Sequence, residues 1–246
     1  MQTVNRVYFV SDVHLRAHFM RRASFFTAFL HSIRGAAALY MLGDIFDYWV
    51  GVGQLRKAIA DPVFQALRML HESGTELFFI AGNRDFLVGR ELTRTCGVRV
   101  LGQSASIRLG RLNVHLSHGD QFCTRDHGYM LFRTGVRNPL LGAVFKHLVP
   151  LFVRVWAAKL LRRSSKAVVR SKPRAMRDIN LAGVKRRLCT GFDVLICGHV
   201  HESRHIRINA AGAARELYTL GHWDDGPSYL VYEAGKFTFV PPPAVG

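Results

Sequence analysis

Short hydrophobic runs alternate with longer amphipathic segments along the chain. The runs are rich in β-branched or aromatic residues and stop at turns containing Gly or Asp, which predicts strands at 7–10, 39–42, 77–81, 113–117 and 194–197. Between the first three strands, apolar positions recur with helical spacing over 24–34 and 61–73, and Pro62 suits the first turn of the second helix. This alternation is typical of an α/β fold with a largely parallel sheet.

Two other regions follow different patterns. Around 98–112, and again at 205–208, 216–220, 228–232 and 237–240, short strands are predicted without helices between them. Residues 120–190 instead predict helices, at about 129–136, 139–148, 151–164 and 175–188. We therefore expect one α/β domain over residues 1–246, made of two packed sheets flanked by helices. A helical cap insertion at about 125–188 would cover the site.

Charge distinguishes this insertion from the rest of the chain. The net charge is +17, and twelve Lys and Arg residues lie between His127 and Arg177 without any Asp or Glu. The same stretch holds the most apolar segment, 139–161, which charged residues and Pro150 interrupt too often for a membrane span. A surface that is both basic and apolar favours amphiphilic anions, including an anionic membrane surface. We expect no nucleic acid partner, because no recognised binding motif accompanies the charge.

The cysteines and the start of the chain indicate a compartment. The sequence begins with a polar segment that leads directly into a short strand, without the apolar region of a signal peptide. Four cysteines occur without any CxxC pair, which favours reduced thiols over disulfides or a zinc site. We therefore expect a cytoplasmic protein.

Potential metal ligands follow each of the five core strands. They are Asp12 and His14, Asp44, Asn83, His118, and His199 with His201. Ligands of α/β proteins gather beyond the carboxyl ends of the strands, so these side chains should converge. One such motif alone would indicate only a turn or a surface histidine, whereas all five in this order indicate a metal centre.

The number of ligands predicts two divalent metal ions. If Asp44 bridges them, Asp12, His14 and His201 complete one set of four ligands. The other set is then completed by Asn83, His118 and His199. Mixed imidazole, carboxylate and amide ligands suit Mn²⁺, Fe or Zn²⁺. A pair of such ions activates water for in-line attack on phosphorus, which predicts a phosphoesterase.

The motifs SDVHL, GDIFDYWVG, GNRDFLVG, HGDQFC and GHVH resemble those of the calcineurin-like metallophosphoesterases. Over essentially the whole chain, including the insertion, the sequence is similar to the UDP-2,3-diacylglucosamine hydrolase family of lipid A biosynthesis. The resemblance implies a four-layer α/β/β/α sandwich with a helical cap insertion, and Mn²⁺ as the metal. It also implies hydrolysis of the pyrophosphate bond of UDP-2,3-diacylglucosamine to 2,3-diacylglucosamine 1-phosphate (lipid X) and UMP. The expected location is the cytoplasm, peripherally on the inner face of the inner membrane.

The same resemblance implies roles for individual residues. It places substrate contacts at Asn83, Arg84, Asp126, Ser165, Lys172 and His199, and catalytic roles at Arg84 and Asp44. A guanidinium beside a metal ligand can hold a diphosphate and offset the charge that develops during cleavage. A lysine in the insertion can reach a phosphate or sugar oxygen as a point charge.

Some positions depart from the pattern of the family and leave the substrate open. They are Val52-Gly53, Arg125, Val169 and Val200. One alternative is a phosphoesterase that acts on another nucleotide diphosphate lipid or sugar. Another is a non-catalytic binding scaffold on the same fold, which the complete ligand set disfavours. Apolar residues of the insertion, among them Phe145 and Trp156, either line a chamber for acyl chains or pack its helices together.

Overall fold

The computed structural model describes residues 6–16, 20–51, 61–138, 142, 144–145, 148–157, 160 and 173–241. Its first sheet has six strands: β1 (Val7–Val10), β2 (Ala38–Met41), β3 (Glu76–Phe79), β4 (Arg99–Val100), β10 (Tyr229–Glu233) and β11 (Lys236–Val240). Their order is β11-β10-β1-β2-β3-β4. The four strands from β1 to β4 are parallel, and the two last strands of the chain pair antiparallel at one edge.

The second sheet has five strands. They are β5 (Ser104–Leu109), β6 (Leu112–Ser117), β7 (Val194–Cys197), β8 (Arg204–Ala210) and β9 (Ala213–Thr219), in the order β5-β6-β7-β9-β8. The three central strands β6, β7 and β9 are parallel, with Leu116 opposite Ile196 and Cys197 opposite Thr219. Both outer strands pair antiparallel.

Helices cover the outer faces. They are α1 (Met20–Ser32), α2 (Pro62–Glu72), α3 (Arg90–Cys96), α4 (His127–Val136), α5 (Arg174–Arg177) and α6 (Leu181–Leu188), with a 3-10 turn at Asp120–Phe122. The first three pack on the outer face of the first sheet, where Phe26, Leu67 and Leu92 meet Leu39. On the outer face of the second sheet, Val184 and Leu188 of α6 contact Leu195.

A third core lies between the two sheets. Phe9 and Tyr40 of the first sheet pack there with Leu116 and Ile196 of the second, and all four are buried. Burial of apolar side chains on both faces of both sheets is what stabilises four layers. The predicted α/β/β/α sandwich is therefore confirmed.

The predicted strands and the first two predicted helices are present, with changes of a few residues at their ends, while the predicted helix 139–148 lies partly outside the described residues. The strands 7–10 and 194–197 have the predicted bounds, while β2 and β3 end one and two residues early. Helix α2 begins as expected at Pro62, and the side chain of Asp61 accepts a hydrogen bond from the N–H of Val63 at 2.9 Å. Such a cap satisfies one of the free donors of the first turn.

The prediction of one continuous helix over 175–188 is wrong. The chain leaves the helical conformation at Asp178, and α6 begins again after Asn180, whose side chain accepts a hydrogen bond from the N–H of Ala182 at 3.0 Å. Asparagine favours this capping position over a helix interior, because its side chain competes with the backbone for hydrogen bonds.

The insertion is helical where the structure describes it. Besides α4 and α5, residues 151–157 are helical, which agrees with the predicted helix at 151–164. The side chain of Arg154 donates a hydrogen bond to the carbonyl of Val50 at 2.5 Å and so attaches this helix to the segment that follows β2. Phe145 is half-buried against the outer core of that sheet. By contrast, Leu131 and Phe152 are 77% and 75% exposed.

Candidate metal centre

The predicted ligands meet at one edge of the sandwich, namely the edge formed by the carboxyl ends of the parallel strands. Strands β1, β2 and β3 of one sheet and β6 and β7 of the other end there, and the loops that follow carry the seven side chains. The two sets of loops approach closely, because His14 from the first sheet and His201 from the second lie with their Nε2 atoms 3.3 Å apart. All seven side chains therefore lie near one another, and their roles as metal ligands stay predictions.

The backbone at this edge is strained. Asp12, His14, Asp44, His199 and His201 have φ angles of 55°, 53°, 53°, 73° and 60°, in the left-handed region that non-glycine residues rarely adopt. Each such residue costs on the order of 1 kcal/mol or more, so the surrounding fold has to hold it in place. Clustering of this strain at one edge marks it as a functional site.

One group of donors consists of Asp12, His14 and His201. Asp12 Oδ1 lies 3.2 Å from His201 Nε2 and 3.9 Å from His14 Nε2. The other oxygen of Asp12 accepts hydrogen bonds from the backbone N–H of His199 and from the hydroxyl of Ser11. One carboxylate oxygen is therefore fixed by the protein, and the other faces the two imidazoles.

A second group consists of Asn83, His118 and His199. His118 Nε2 lies 2.9 Å from Asn83 Oδ1 and 3.2 Å from His199 Nδ1. The other ring nitrogen of His118 lies 2.9 Å from the carbonyl of Leu42, to which it donates, so Nε2 is left as the acceptor. A ligating histidine is commonly oriented by such a bond through its second nitrogen.

Asp44 lies between the two groups. Its Oδ1 is 3.7 Å from His118 Nε2, and its Oδ2 is 4.0 Å from His14 Nδ1. Ligand atoms about 2.1 Å from a common cation, with about 90–110° between them, lie about 3.0–3.4 Å apart. The closest donor pairs within the two groups, at 3.3, 3.2, 2.9 and 3.2 Å, agree with that spacing. The residues present therefore fit divalent metal ions, and the binding of two ions with Asp44 as the bridge stays a prediction.

The electrostatics of two of the histidines suit metal binding, whereas nearby carboxylates outweigh burial and raise the pKa of the other two. Burial lowers the pKa of His199 to about 4 and, with a further contribution from Arg84, holds the pKa of His14 well below its ordinary value. Both rings are therefore neutral at neutral pH, which is the form that binds metal. Burial raises the pKa of Asp44, a change that a nearby divalent cation would oppose.

Asp85 supports the loops that carry these ligands. Its carboxylate accepts hydrogen bonds from the N–H groups of Asp44, Ile45, Phe46 and Gly82, at 3.1, 2.9, 3.2 and 2.9 Å. Glycine is required at position 82, because a Cβ there would lie 2.2 Å from Asp44 Oδ1. The sequence motif contains Asp85, but its role becomes visible only when the loops after β2 and β3 are brought together.

Arg84 is held beside the same carboxylates. Its Nε lies 3.2 Å from Asp44 Oδ2, and its Nη1 lies 3.5 Å from Asp47, a buried residue that also pairs with Arg16. The side chain of Arg84 is 26% exposed, so a ligand can reach it. Arg84 therefore lies beside the donor groups and is accessible, while its catalytic and substrate-binding roles stay predictions.

Asp120 connects the metal centre to the insertion. This buried carboxylate follows His118 and accepts hydrogen bonds from Arg133 Nε at 2.9 Å and from the hydroxyl of Tyr129 at 3.0 Å, both on α4. The ring of Tyr129 lies 5.7 Å from that of His199, measured between centroids. Sequence reasoning assigned no role to Asp120 or Tyr129, although the former belongs to the motif after β6.

The remaining predicted contacts have different outcomes. Asp126 is the N-cap of α4, and its side chain accepts a hydrogen bond from the N–H of Tyr129 at 3.0 Å. Ser165 and Lys172, as well as Val169 and Val52-Gly53, lie outside the described residues. Arg125 is exposed beside Asp126. All six predicted substrate contacts stay predictions, those at Asn83, Arg84 and His199 included.

Several proteins with closely similar sequences carry one name. A UDP-2,3-diacylglucosamine hydrolase of Pseudomonas fluorescens is 36% identical over 246 residues, covering 96% of this chain and 97% of that protein. One of Pseudomonas aeruginosa is 37% identical over 89% of this chain and 91% of its own length. One of Pseudomonas syringae pv. tomato is 34% identical over 96% and 97%. This chain belongs to the UDP-2,3-diacylglucosamine hydrolase family.

Two further comparisons add little to this membership. A scan against models of protein families finds no match. Among solved structures, an archaeal phosphodiesterase aligns with a TM-score of 0.47 and 10% identity over 96% of this chain and 98% of its own. A predicted phosphoesterase of Streptococcus pneumoniae aligns with a TM-score of 0.44 and 12% identity over 98% and 91%. Family membership therefore rests on the sequence relatives, and the family's hydrolase chemistry agrees with the donor groups at this edge.

The structure also bears on membrane-spanning helices and on thiol chemistry. Within the described ranges, no helix is long and apolar enough to cross a membrane. All four cysteines are free thiols, as predicted, and burial raises the pKa of Cys96 to about 11 and that of Cys123 to about 12. Thiols with such raised pKa values are poor metal ligands and poor nucleophiles at neutral pH.

Proposed function

We propose that this protein hydrolyses the pyrophosphate bond of UDP-2,3-diacylglucosamine to 2,3-diacylglucosamine 1-phosphate and UMP. The observation that carries the proposal is the meeting of Asp12, His14, Asp44, Asn83, His118, His199 and His201 at one edge, with donor separations that fit two cations. Family membership supports the substrate, because the relatives are named for it. The metal we propose is Mn²⁺, since carboxylate, amide and imidazole donors suit it.

Two divalent cations, when bound, supply Lewis acidity and activate water for in-line displacement at phosphorus. The protein contributes a fixed geometry. Asp85 holds the loops, and the bond from His118 to the carbonyl of Leu42 sets its tautomer. Arg84 can donate two N–H groups to a diphosphate and offset the negative charge that builds up on its oxygens. These groups are preorganised and need no rearrangement when the reaction occurs.

The insertion supplies the second half of the proposal, which is recognition of the lipid. Leu131, Phe152 and Trp156 are 77%, 75% and 64% exposed in a stretch with twelve cations and no acidic residue. Acyl chains gain about 0.8 kcal/mol for each CH₂ group that they bury, so this apolar surface suits two of them. We propose that its cations also hold the protein peripherally against an anionic membrane surface, at the cytoplasmic face of the inner membrane.

A coupled assay tests the reaction. The protein is freed of metal with a chelator, and release of UMP from UDP-2,3-diacylglucosamine is measured before and after Mn²⁺ is restored. We expect turnover that depends on Mn²⁺ and exceeds turnover of UDP-glucose, which lacks the acyl chains. A clear preference for another nucleotide diphosphate would instead support the alternative substrate that Arg125 and Val200 leave open. Co-sedimentation with anionic vesicles at low and high salt tests membrane association, which should weaken as salt screens the cations.

A further inference from the structure

A sixth strand ends at the edge that carries the metal centre. Strand β9 runs parallel to β7, and the N–H of Leu220 donates to the carbonyl of Cys197 at 2.8 Å. The residues after Thr219 therefore emerge beside the loop that holds His199 and His201. His222 lies in this segment, and its ring is 6.1 Å from that of His201 between centroids.

The segment around His222 is fixed by packing. Trp223 is fully buried, with its ring 5.4 Å from those of both Phe26 and Phe29. On the other side of His222, a Cβ at Gly221 would lie 2.7 Å from the hydroxyls of Ser203 and Ser228, so the backbone approaches these side chains closely. Packing of the residues on both sides of His222 therefore holds its imidazole in a defined position.

The hydrogen-bond geometry leaves His222 with one available donor. The backbone N–H of Asp224 donates to Nδ1 at 3.2 Å, so the neutral ring carries its hydrogen on Nε2. The side chain is 35% exposed, which allows a ligand to reach it. The neighbouring carboxylate of Asp224 is paired with Arg22, and this pairing offsets its repulsion of an anion.

Strand order places His222 on the side of the centre away from α4. In the order β5-β6-β7-β9-β8, the insertion leaves from the end of β6, and His222 follows β9. The ligands His199 and His201, which follow β7, lie between them. Tyr129 of α4 contacts the ring of His199 on one side, and His222 contacts the ring of His201 on the other.

We propose that His222 donates its Nε2 hydrogen to a phosphate oxygen of the nucleoside monophosphate half of the substrate. The inference rests on the proposed function. If the insertion binds the acyl chains, the nucleotide half of the substrate lies on the opposite side of the centre, where His222 is. His222 is then a substrate-binding residue that contacts the nucleotide half of the substrate, in addition to Arg84, which holds the diphosphate.

Binding of two soluble ligands tests this role without turnover. UMP represents the nucleotide half, and glucosamine 1-phosphate represents the sugar half. Calorimetry on the Mn²⁺-loaded protein compares the wild type with His222→Leu and His222→Gln. The control is His31→Leu, an exposed histidine at the end of α1, at the opposite edge of the first sheet. Metal content is measured for every variant.

We expect His222→Leu to weaken UMP binding about tenfold, the effect of losing one hydrogen bond to a charged group. His222→Gln offers an amide N–H near the place of Nε2 and should recover most of that affinity. Glucosamine 1-phosphate binding, metal content and the control should not change.

Three results would overturn the inference: wild-type protein that does not bind UMP, a leucine variant that binds UMP as tightly as the wild type, or equal losses for both ligands. Loss of metal in His222→Leu would overturn it as well, because the histidine would then support the centre itself. Failure of the wild type to hydrolyse UDP-2,3-diacylglucosamine while it binds UMP would count against the proposed reaction alone.

Discussion

The carboxyl edge of the two sheets and the helical insertion distribute their polar and apolar side chains in opposite ways. At the edge, Asp12 and His118 are fully buried and bonded to the backbone of other loops, since Asp12 accepts from the N–H of His199 and His118 donates to the carbonyl of Leu42. In the insertion, Leu131, Phe152 and Trp156 are mostly exposed to solvent. Polar groups are buried at a cost that only a bound ligand or a dense hydrogen-bond network offsets. Large exposed apolar groups indicate a surface that binds an apolar partner.

This difference separates chemistry from recognition. If the proposed function holds, the edge acts on any phosphate ester that reaches its donors, and the insertion distinguishes an acylated substrate from a soluble one. Contact between the two regions is provided by Asp120, which binds Tyr129 and Arg133 of α4. A lipid substrate and a small phosphodiester such as bis(p-nitrophenyl) phosphate should therefore respond differently to substitutions in the two regions.

The largest effect is expected from Asp44→Ala at the edge. Removal of the carboxylate between the two donor groups should lower bound metal and reduce turnover of both substrates by about 10³-fold or more, the upper scale for loss of one preorganised group. Metal analysis and kinetics on the two substrates measure this. Asp61→Ala is the matched control, since it removes a helix cap worth about 1 kcal/mol of stability and no donor of the centre. Two metals per chain with normal activity in Asp44→Ala would refute the dinuclear assignment.

Arg84→Ala should come next. The guanidinium beside Asp44 is placed to stabilise charge on the diphosphate, so kcat/KM should fall on the order of 10²–10³-fold while metal content stays constant. The control is Arg99→Ala, which removes an exposed arginine that pairs with Glu76 on the first sheet. Unchanged kcat/KM in Arg84→Ala would assign this side chain a structural role only.

Much of the edge could be predicted from sequence, because each strand is a short apolar run followed directly by its ligands. The same local reasoning misplaced the end of β3, since Ile80 and Ala81 are about as buried as the strand itself but lie beyond its last paired residue, Phe79. His222 was missed for a different reason. The strand before it was predicted, but its parallel pairing with β7 depends on packing between residues far apart in sequence.

The insertion was less predictable. Its helices could be read from spacing, but the alternatives of internal packing and an acyl chamber gave the same pattern. The structure distinguishes individual residues, since Phe145 packs against the first sheet whereas Trp156 is 64% exposed. Phe145 is therefore a poor position at which to test the acyl chamber, because its replacement would also disturb the core. Trp156 is a better position for the substitution.

Trp156→Gln should lower kcat/KM for the lipid substrate by about ten- to a hundredfold, which corresponds to about 1.5–3 kcal/mol of lost aromatic burial. Hydrolysis of the small phosphodiester and the melting temperature should hardly change. Met69→Gln, an exposed apolar residue on α2, serves as the control. Equal proportional losses on both substrates would show that the insertion does not hold acyl chains.

The smallest effect on either activity is expected at His115, which lies within β6, three residues before His118 in the loop that follows this strand. It is 3% exposed, and within the described structure neither ring nitrogen has a hydrogen-bond partner. Burial lowers its pKa to about 4. The unfolded chain binds a proton near pH 6.5 and the folded chain does not, so stability is retained above about pH 6.5 and lost as the pH falls toward 4.

His115→Leu tests whether a histidine inside β6 contributes to the metal centre. We expect that it does not, in contrast to His118 in the loop after the strand. The substitution removes two buried polar atoms without breaking a described hydrogen bond, so both activities should stay within about twofold of the wild type. Denaturant unfolding between pH 7 and pH 4 should show a smaller loss of stability than in the wild type, by about 2–3 kcal/mol at most. The comparison is made as a difference between variants, because the buried carboxylates titrate in both. A fall in metal content, or an unaltered pH dependence, would mean that His115 does not stay neutral and isolated in the folded protein.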